Sequence, residues 1–230
     1  MPRLGARKLF SLILPKIKEA GIKIGRDKFI EFLRLHDLLV KPKKNYTKTT
    51  MSKHWLHKHP NLLKEKIVKQ IEEVFVSDIT YVKSQEGTHY LSLVTDAYSR
   101  KIMGFHLSHD MPAKEVVKAL KMAGKNKITT TETIHHSDRG LQYCSDEYQS
   151  ELEKLGMKAS MTDGYDCYQN ALAERINGIL KDEFLLSECQ TFKELEKNIE
   201  QSIIIYNQMR PHLSLDYRTP ESVHKKASYV

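Results

Sequence analysis

The hydrophobic period of this chain changes abruptly near residue 73, and that change restricts the fold more than any other feature. Before it, apolar residues recur at helical spacing; after it they alternate. EVFVSDITYV, residues 73–82, reads as a strand with Val74, Val76, Ile79 and Val82 as its apolar positions. After the turn QEGT come HYLSLVTDAYSR and then KIMGFHL. Three such runs with short turns predict an antiparallel meander. AKEVVKALKMAG, residues 113–124, predicts an amphipathic helix stopped by Gly124. TETIHH predicts a fourth strand. SDEYQSELEKLG, residues 145–156, predicts a helix capped by Ser145, with acids in its first turn and Gly156 at its end. KASMT predicts a short fifth strand, and helices follow around residues 168–186 and 191–208. The expected architecture is one layered α/β core with a mixed sheet.

The part before the change is chemically different. Residues 7–20, RKLFSLILPKIKEA, have helical spacing interrupted by Pro15, and Gly21 offers a stop. Residues 26–39, RDKFIEFLRLHDLL, put Phe29, Ile30, Leu33 and Leu38 on one face. Two helices about a Gly turn in a basic surround suggest a helix-turn-helix-like unit. Residues 1–66 hold 17 Lys/Arg and 5 Asp/Glu, a balance of +12, whereas the whole chain carries +8. A basic module on a mildly acidic body favours a polyanionic partner such as nucleic acid. The expected boundaries are 1–45 for the basic DNA-binding unit and 46–70 for a basic linker. The core spans 71–187, and a C-terminal helix with a basic tail block spans 188–230.

Other classes are excluded. No window is apolar enough for a membrane span, and Lys16 and Lys18 interrupt the N-terminal apolar patch, which therefore reads as an amphipathic helix and not a signal peptide. Cys144, Cys167 and Cys189 are scattered and odd in number, which predicts a reducing compartment without a disulfide framework.

The chemistry is carried by acids. HHSDRGLQY, residues 135–143, sets Asp138 at the carboxyl end of the fourth strand, where α/β sheets place their ligands. Asp78 lies on the first strand, and Glu174 on the helix after the fifth, 35 residues intervening between Asp138 and Glu174. Three carboxylates meeting at one point repel each other and are costly to bury unpaired. Divalent cations resolve that conflict: hard oxygen ligands suit Mg²⁺, and a pair of ions about 4 Å apart can clamp both oxygens of an in-line phosphoryl transfer. Gly140 is expected to turn the chain away beneath a substrate, and Arg139 to face a phosphate.

SDITYV around Asp78, VTDAYSR around Asp96, HHSDRGLQY around Asp138 and QNALAERINGILKDEF around Glu174 resemble the catalytic core of retroviral integrases and their bacterial relatives. The likeness is strongest to the second-frame (OrfB-type) transposases of insertion sequences. YNQMRPHLSLDYRTPESV, residues 206–223, and the N-terminal RLGARKLF with DKFIEFLRLHDLLVKP are similar to further blocks of those proteins, so the resemblance covers nearly the whole chain. It implies a ribonuclease H-like mixed five-stranded sheet flanked by helices, with a small helix-turn-helix-like N-terminal unit. It implies Asp78, Asp138 and Glu174 as catalytic metal ligands for Mg²⁺, with Mn²⁺ as a substitute, in a transposase that cleaves DNA at element ends and joins the 3′-hydroxyl to a second strand. Asn177 and Lys181 follow Glu174 on the same helix face and are expected on the DNA, as are Arg139 at the site and Arg26 and Lys28 on the N-terminal unit. The implied partners are double-stranded DNA, further copies of the chain and an upstream-frame helix-turn-helix protein or fusion; the implied location is the bacterial cytoplasm, at the nucleoid.

Departures and alternatives accompany that reading. Phe75 stands where relatives often have Trp, and Asp166 and Cys167 are additions in the loop DGYDCYQNA. Asp96 is expected outside the triad, facing a neighbour or capping a turn. His54, His57 and His59 in KHWLHKHP lack the cysteine pair of a structural zinc site, so no zinc is expected, and Trp55 is expected as a packing anchor. At least one of His135 and His136 is expected to be buried and hydrogen-bonded. A catalytically silent DNA-binding regulator is the alternative function.

Overall fold

The computed structural model describes residues 3–40, 55–163, 170–185 and 188–227. A single sheet organises the core: β1 (Val74–Ser84), β2 (Gly87–Asp96), β3 (Ile102–Ser108), β4 (Thr133–Ser137) and β5 (Met157–Met161). The spatial order is β3-β2-β1-β4-β5. The meander β1-β2-β3 is antiparallel, while β4 and β5 add parallel to β1. This is the mixed five-stranded, ribonuclease H-like sheet that the order of elements predicts.

Alternation along β1 sorts side chains between two helical layers. Phe75 points into a cluster with Val116, Val117 and Leu120 of α3 (Ala113–Asn126) and Tyr148 and Leu152 of α4 (Asp146–Lys154). Val82, Leu91 and Leu93 point the other way, against Ile176 of α5 (Ala171–Ile179) and Leu195, Ile199 and Ile203 of α6 (Phe192–Met209). Phe75 is fully buried, so the smaller aromatic is a packing solution worth about 1.5–3 kcal/mol of transfer free energy. After α5 the helix widens into a π-helical turn, Leu180–Phe184, and the chain ends in a short 3₁₀ turn, Leu213–Leu215, and α7 (Pro220–Ala227).

The N-terminal unit forms α1 (Ala6–Glu19) and α2 (Arg26–Leu35), with Phe29 and Leu33 buried as their spacing predicts. Several details differ from the sequence reading. The first helix runs through Pro15, which the helix tolerates on an exposed side. Leu38 falls beyond α2 and is exposed. Gly124 does not stop α3. A Cβ there would meet Leu155 Cδ2 at 2.7 Å, so Gly124 is a point of close helix approach. Ser145 does cap α4, its hydroxyl accepting from the Tyr148 amide, and Gly156 ends that helix at φ 64°. Trp55 is no packing anchor: it is 91% exposed. The segment after it lies along β5, where the Met161 amide donates to the Pro60 carbonyl and the Leu62 amide to Ser160 Oγ. That contact covers a sheet edge that would otherwise offer unpaired strand groups. Among the described residues no helix is long and apolar enough to cross a membrane.

Candidate active site

The register of the central strands brings the first two acids together. Val74 pairs with Ile134 and Val76 with His136, and the same offset carried along β1 reaches Asp138 from Asp78. Asp78 therefore lies within its strand while Asp138 is the first residue past the end of β4. On α5, Glu174 occupies the first turn and is exposed. Asn177, one turn later, is buried and donates through Nδ2 to Asp78 Oδ2 at 2.7 Å. In the free chain the Asn177 amide thus holds the first acid. Asn170, just before α5, donates through Nδ2 to the Ser77 carbonyl at 3.0 Å. Two side-chain amides, one at the N-cap of α5 and one within it, thus hold the Ser77 carbonyl and the Asp78 carboxylate.

Electrostatics mark the acids as a coupled set. Burial pushes the Asp78 carboxyl up to about 7, helped by the negative charges of Asp138 and Glu174 and opposed by the bonds from Asn177 and the Ile79 amide. Glu174 is also raised, by burial and by Asp138. Among the described residues no three His, Cys, Asp or Glu side chains close on one point at metal-ligating distance. The acids instead act on each other across a gap, and each neighbouring pair offers only hard oxygen donors, the chemistry that Mg²⁺ and Mn²⁺ select.

The support beneath them is polar and satisfied. His135 is buried, with Nε2 bonded to Ser77 Oγ at 2.7 Å and Tyr148 Oη at 3.0 Å, and burial pushes its imidazole down to about 3. His136 Nδ1 meets Ser160 Oγ at 2.8 Å. Both histidines are therefore buried and hydrogen-bonded, and they fix β4 against β1, β5 and α4. Gly140 does not turn through a left-handed conformation. Its amide donates to Asp138 Oδ1 at 2.9 Å, and a Cβ there would sit 3.0 Å from that same oxygen. Glycine leaves room for the carboxylate. Arg139 beside it is half-buried.

Lys181 lies half-buried on the π-helical turn. That turn is anchored by a pair the sequence reading missed. Arg210 is 1% exposed and grips Glu183 with two bonds, Nε–Oε2 at 2.7 Å and Nη2–Oε1 at 2.6 Å. His212 sits against Arg210 Nη1 at 3.0 Å, and Lys8 of α1 reaches Glu183 at 3.6 Å. The arginine and histidine of the RPH triplet are thus structural partners of the helix that carries Glu174. Arg26 and Lys28 are exposed on α2, Arg26 paired with Asp27 at 2.8 Å. Asp166, Cys167 and His54 lie outside the described residues; His57 and His59 contact each other edge to face at 4.9 Å.

Asp96 belongs to a different group. Its carboxylate accepts from the Ser99 amide and hydroxyl at 2.9 and 2.6 Å, and from the Glu72 amide at 2.8 Å. It caps the turn after β2, as expected. Glu72 itself is fully buried, takes the Ile128 and Thr129 amides, and faces His224 of α7 at 3.3 Å.

The central strand, the neighbouring strand end and the helix that carry Asp78, Asp138 and Glu174 lie within the region matched by integrase core domains, the class of polynucleotidyl transferases. Comparisons with known proteins agree. Two integrase core domain families match, one over residues 69–167 and one over residues 155–220. The chain is 34% identical over 92% of its length to the insertion element IS600 uncharacterized 31 kDa protein of Shigella sonnei, covering 79% of that protein. It is 33% identical over 75% of its length to the transposase for insertion sequence element IS904 of Lactococcus lactis, covering 72%. To transposase InsF for insertion sequence IS3A of Escherichia coli it is 31% identical over 84% of its length, covering 68%. Among solved structures, the HTLV-2 integrase catalytic core domain in complex with magnesium matches with a TM-score of 0.54 at 20% identity, over 67% of this chain and 97% of that one. A chain of the simian T-cell lymphotropic virus intasome in complex with PP2A regulatory subunit B56 gamma matches with a TM-score of 0.59 at 18% identity, over 96% of this chain and 74% of that one. The chain belongs to the insertion-sequence transposases with an integrase-like core.

Proposed function

We propose that Asp78, Asp138 and Glu174 are the catalytic acids of this transposase and that they hold Mg²⁺, with Mn²⁺ as a substitute, to cut DNA at element ends and join the freed 3′-hydroxyl to a second strand. The observation that supports this most is the register of β1 and β4, which carried two residues past Val76 and His136 puts Asp78 level with Asp138, where burial and the Asp138 charge raise the Asp78 carboxyl. Asp78 is the shared member: Asp138 flanks it in the sheet, and Glu174 acts on it from α5. Divalent cations bound there supply charge for the attacking and leaving oxygens of the phosphoryl transfer. The protein's own contribution is positional. Asn177 orients the Asp78 carboxylate, the Gly140 amide orients that of Asp138, and the histidines of β4 keep the strand end rigid. Lys181 and Arg139 flank this group as cations for phosphate oxygens, where charge accumulates in the transition state. Arg26, Lys28 and the rest of the basic N-terminal unit hold the duplex, through contacts that weaken with salt. The relatives named above support double-stranded DNA and further copies of the chain as the partners, with an upstream-frame helix-turn-helix protein or fusion as a further one.

A silent regulator has less support, because three acids beside DNA phosphates oppose binding unless cations are held there. The test is a joining assay with duplexes carrying the DNA that flanks the gene, in Mg²⁺ and in Mn²⁺. Metal-dependent nicking and joining that disappear in Asp138→Asn support the assignment. Joining that persists at the wild-type rate in that variant contradicts it.

A further inference from the structure

A cavity of about 560 Å³ lies on the α5 face of the sheet, and none of the three acids lines it. That volume is within the range of small-molecule sites, roughly 300–1,000 Å³. Val74, Val76 and Leu172 give it apolar lining, while the C-terminal block contributes Arg218 and the turn after β2 contributes Arg100. Val76 is the residue two before Asp78 and shares its face of β1, so the cavity opens on the Asp78 side of the sheet.

Asn170 makes this more than a hollow. It lines the cavity and is 4% exposed. Its Nδ2 is committed to the Ser77 carbonyl, which fixes the orientation of the amide. Its Oδ1 is buried with no hydrogen-bond partner. A buried acceptor left without a partner is destabilising, and a ligand N–H would relieve it. Cations complete the set. Lys66 is held by Glu73 at 2.5 Å, but Arg218 spends only its Nε on the Leu215 carbonyl at 3.1 Å. A guanidinium has further donors in a fork suited to phosphate.

We infer that this cavity is a nucleotide subsite: it takes one unpaired nucleotide of a DNA strand, with an N–H edge of the base on Asn170 Oδ1 and the phosphate on Arg218. The apolar walls accept the base, the amide reads it, and the arginine holds the backbone. The subsite rests on the transposase reading only for the source of the nucleotide. A strand bound at the acids would place a flanking unpaired nucleotide here, and the C-terminal block would thereby contribute to DNA binding as well as to the fold.

Calorimetry on the full chain tests it with deoxyadenosine monophosphate and with the same purine nucleotide lacking the exocyclic amine. The amine-bearing nucleotide is expected to bind at least tenfold more tightly, and Asn170→Leu to erase the difference. Because Asn170→Leu also removes the bond to Ser77, Ser214→Trp provides a second variant; Ser214 is an exposed lining residue, and Trp there fills the cavity without touching that bond. Ser214→Trp is expected to abolish nucleotide binding, and Arg218→Ala to weaken it at least fivefold. Equal binding of both nucleotides, or unchanged binding in Ser214→Trp, would overturn the subsite. The source is read by comparing a blunt duplex with one bearing an adenine overhang. A preference of fivefold or more for the overhang, lost in Ser214→Trp, supports a strand; nucleotide binding without that preference overturns the strand assignment. Blunt-duplex binding by the wild type is the separate reference for the transposase reading, so the two readings fail independently.

Discussion

Two groups of buried or half-buried acids occupy this sheet, and they are treated in opposite ways. Glu72 and Asp96, at the start of β1 and the end of β2, are surrounded by donors: amides of residues 72, 99, 128 and 129, the Ser99 hydroxyl and the His224 imidazole. Despite its burial, that company pulls the Glu72 carboxyl down to about 2. Farther along β1, Asp78 has one amide side chain and one backbone amide, and its carboxyl rises to about 7. The two groups lie at different parts of the same β1–β2 pair, and the residue chemistry is nearly the same. What differs is whether the fold supplies the countercharge. Where it does, the acid is structural: Glu72 even tolerates a left-handed backbone, φ 60°, because several bonds over-determine it. Where it does not, the acid is the one proposed to meet a cation brought from outside.

The largest expected effect breaks the comparison on the uncompensated side. Asp78→Asn, Asp138→Asn and Glu174→Gln are each expected to lower DNA joining by about 10³-fold or more, on the scale of removing a group that stabilises transition-state charge. The Tm of Asp78→Asn should equal or exceed that of the wild type, because a repelled buried charge is removed. A large drop in Tm would show that Asp78 is structural after all.

Removing His224 should do the reverse. His224→Ala leaves Glu72 buried without its cation, a loss of about 3–5 kcal/mol in urea unfolding. The pH dependence has a sign for each partner. Glu72 is depressed, so its contribution is complete above its ordinary value of 4.5 and disappears as pH falls toward about 2. His224 is raised above 6.5, so its contribution is complete below 6.5 and is lost as pH rises through the higher folded value. The stability difference between wild type and Glu72→Gln should therefore shrink below pH 4.5, and His224→Ala should lack the alkaline slope.

Arg210→Met sharpens the comparison from the far end of the α5 helix. Glu183 loses its two bonds and keeps only Lys8. A loss of about 3 kcal/mol in stability is expected, with joining reduced further in proportion to disorder in the turn that carries Lys181. The smallest effect is expected at Asn177→Ala. A hydrogen bond to a charged group is worth about 1.5–3 kcal/mol, and here it should appear as a lower kcat at a nearly unchanged KM for DNA.

Much of this was legible in the sequence, for a physical reason. The strands show in the period of two around Val74, Val76 and Val82, and the acids Asp78 and Asp138 show because each interrupts or ends such a run. The supports were hidden because they are long-range. Asn177 and Asp78 are 99 residues apart, and Arg210 and Glu183 are 27 apart. No local spacing marks such pairs. Glu72 looks like a solvated acid before a strand, and only the return of α7 with His224 reveals its burial. Gly124 and Gly140 carry the turn signal in sequence, yet both serve close approach: one to Leu155 and one to the Asp138 carboxylate. Trp55 shows the converse failure, since hydrophobicity alone cannot say that a side chain has a surface to pack on.

Asp78 and Asp138 are proposed to share one divalent-cation site, with Asp138 raising the Asp78 carboxyl in the free chain. The most direct measurement is a calorimetric titration of Mn²⁺ into the purified chain beside Asp138→Asn and His224→Ala. The account predicts saturable binding in the wild type and in folded His224→Ala, and none in folded Asp138→Asn. Equal binding by the wild type and Asp138→Asn would contradict it, and would mean that these acids do not form the metal site of the free chain.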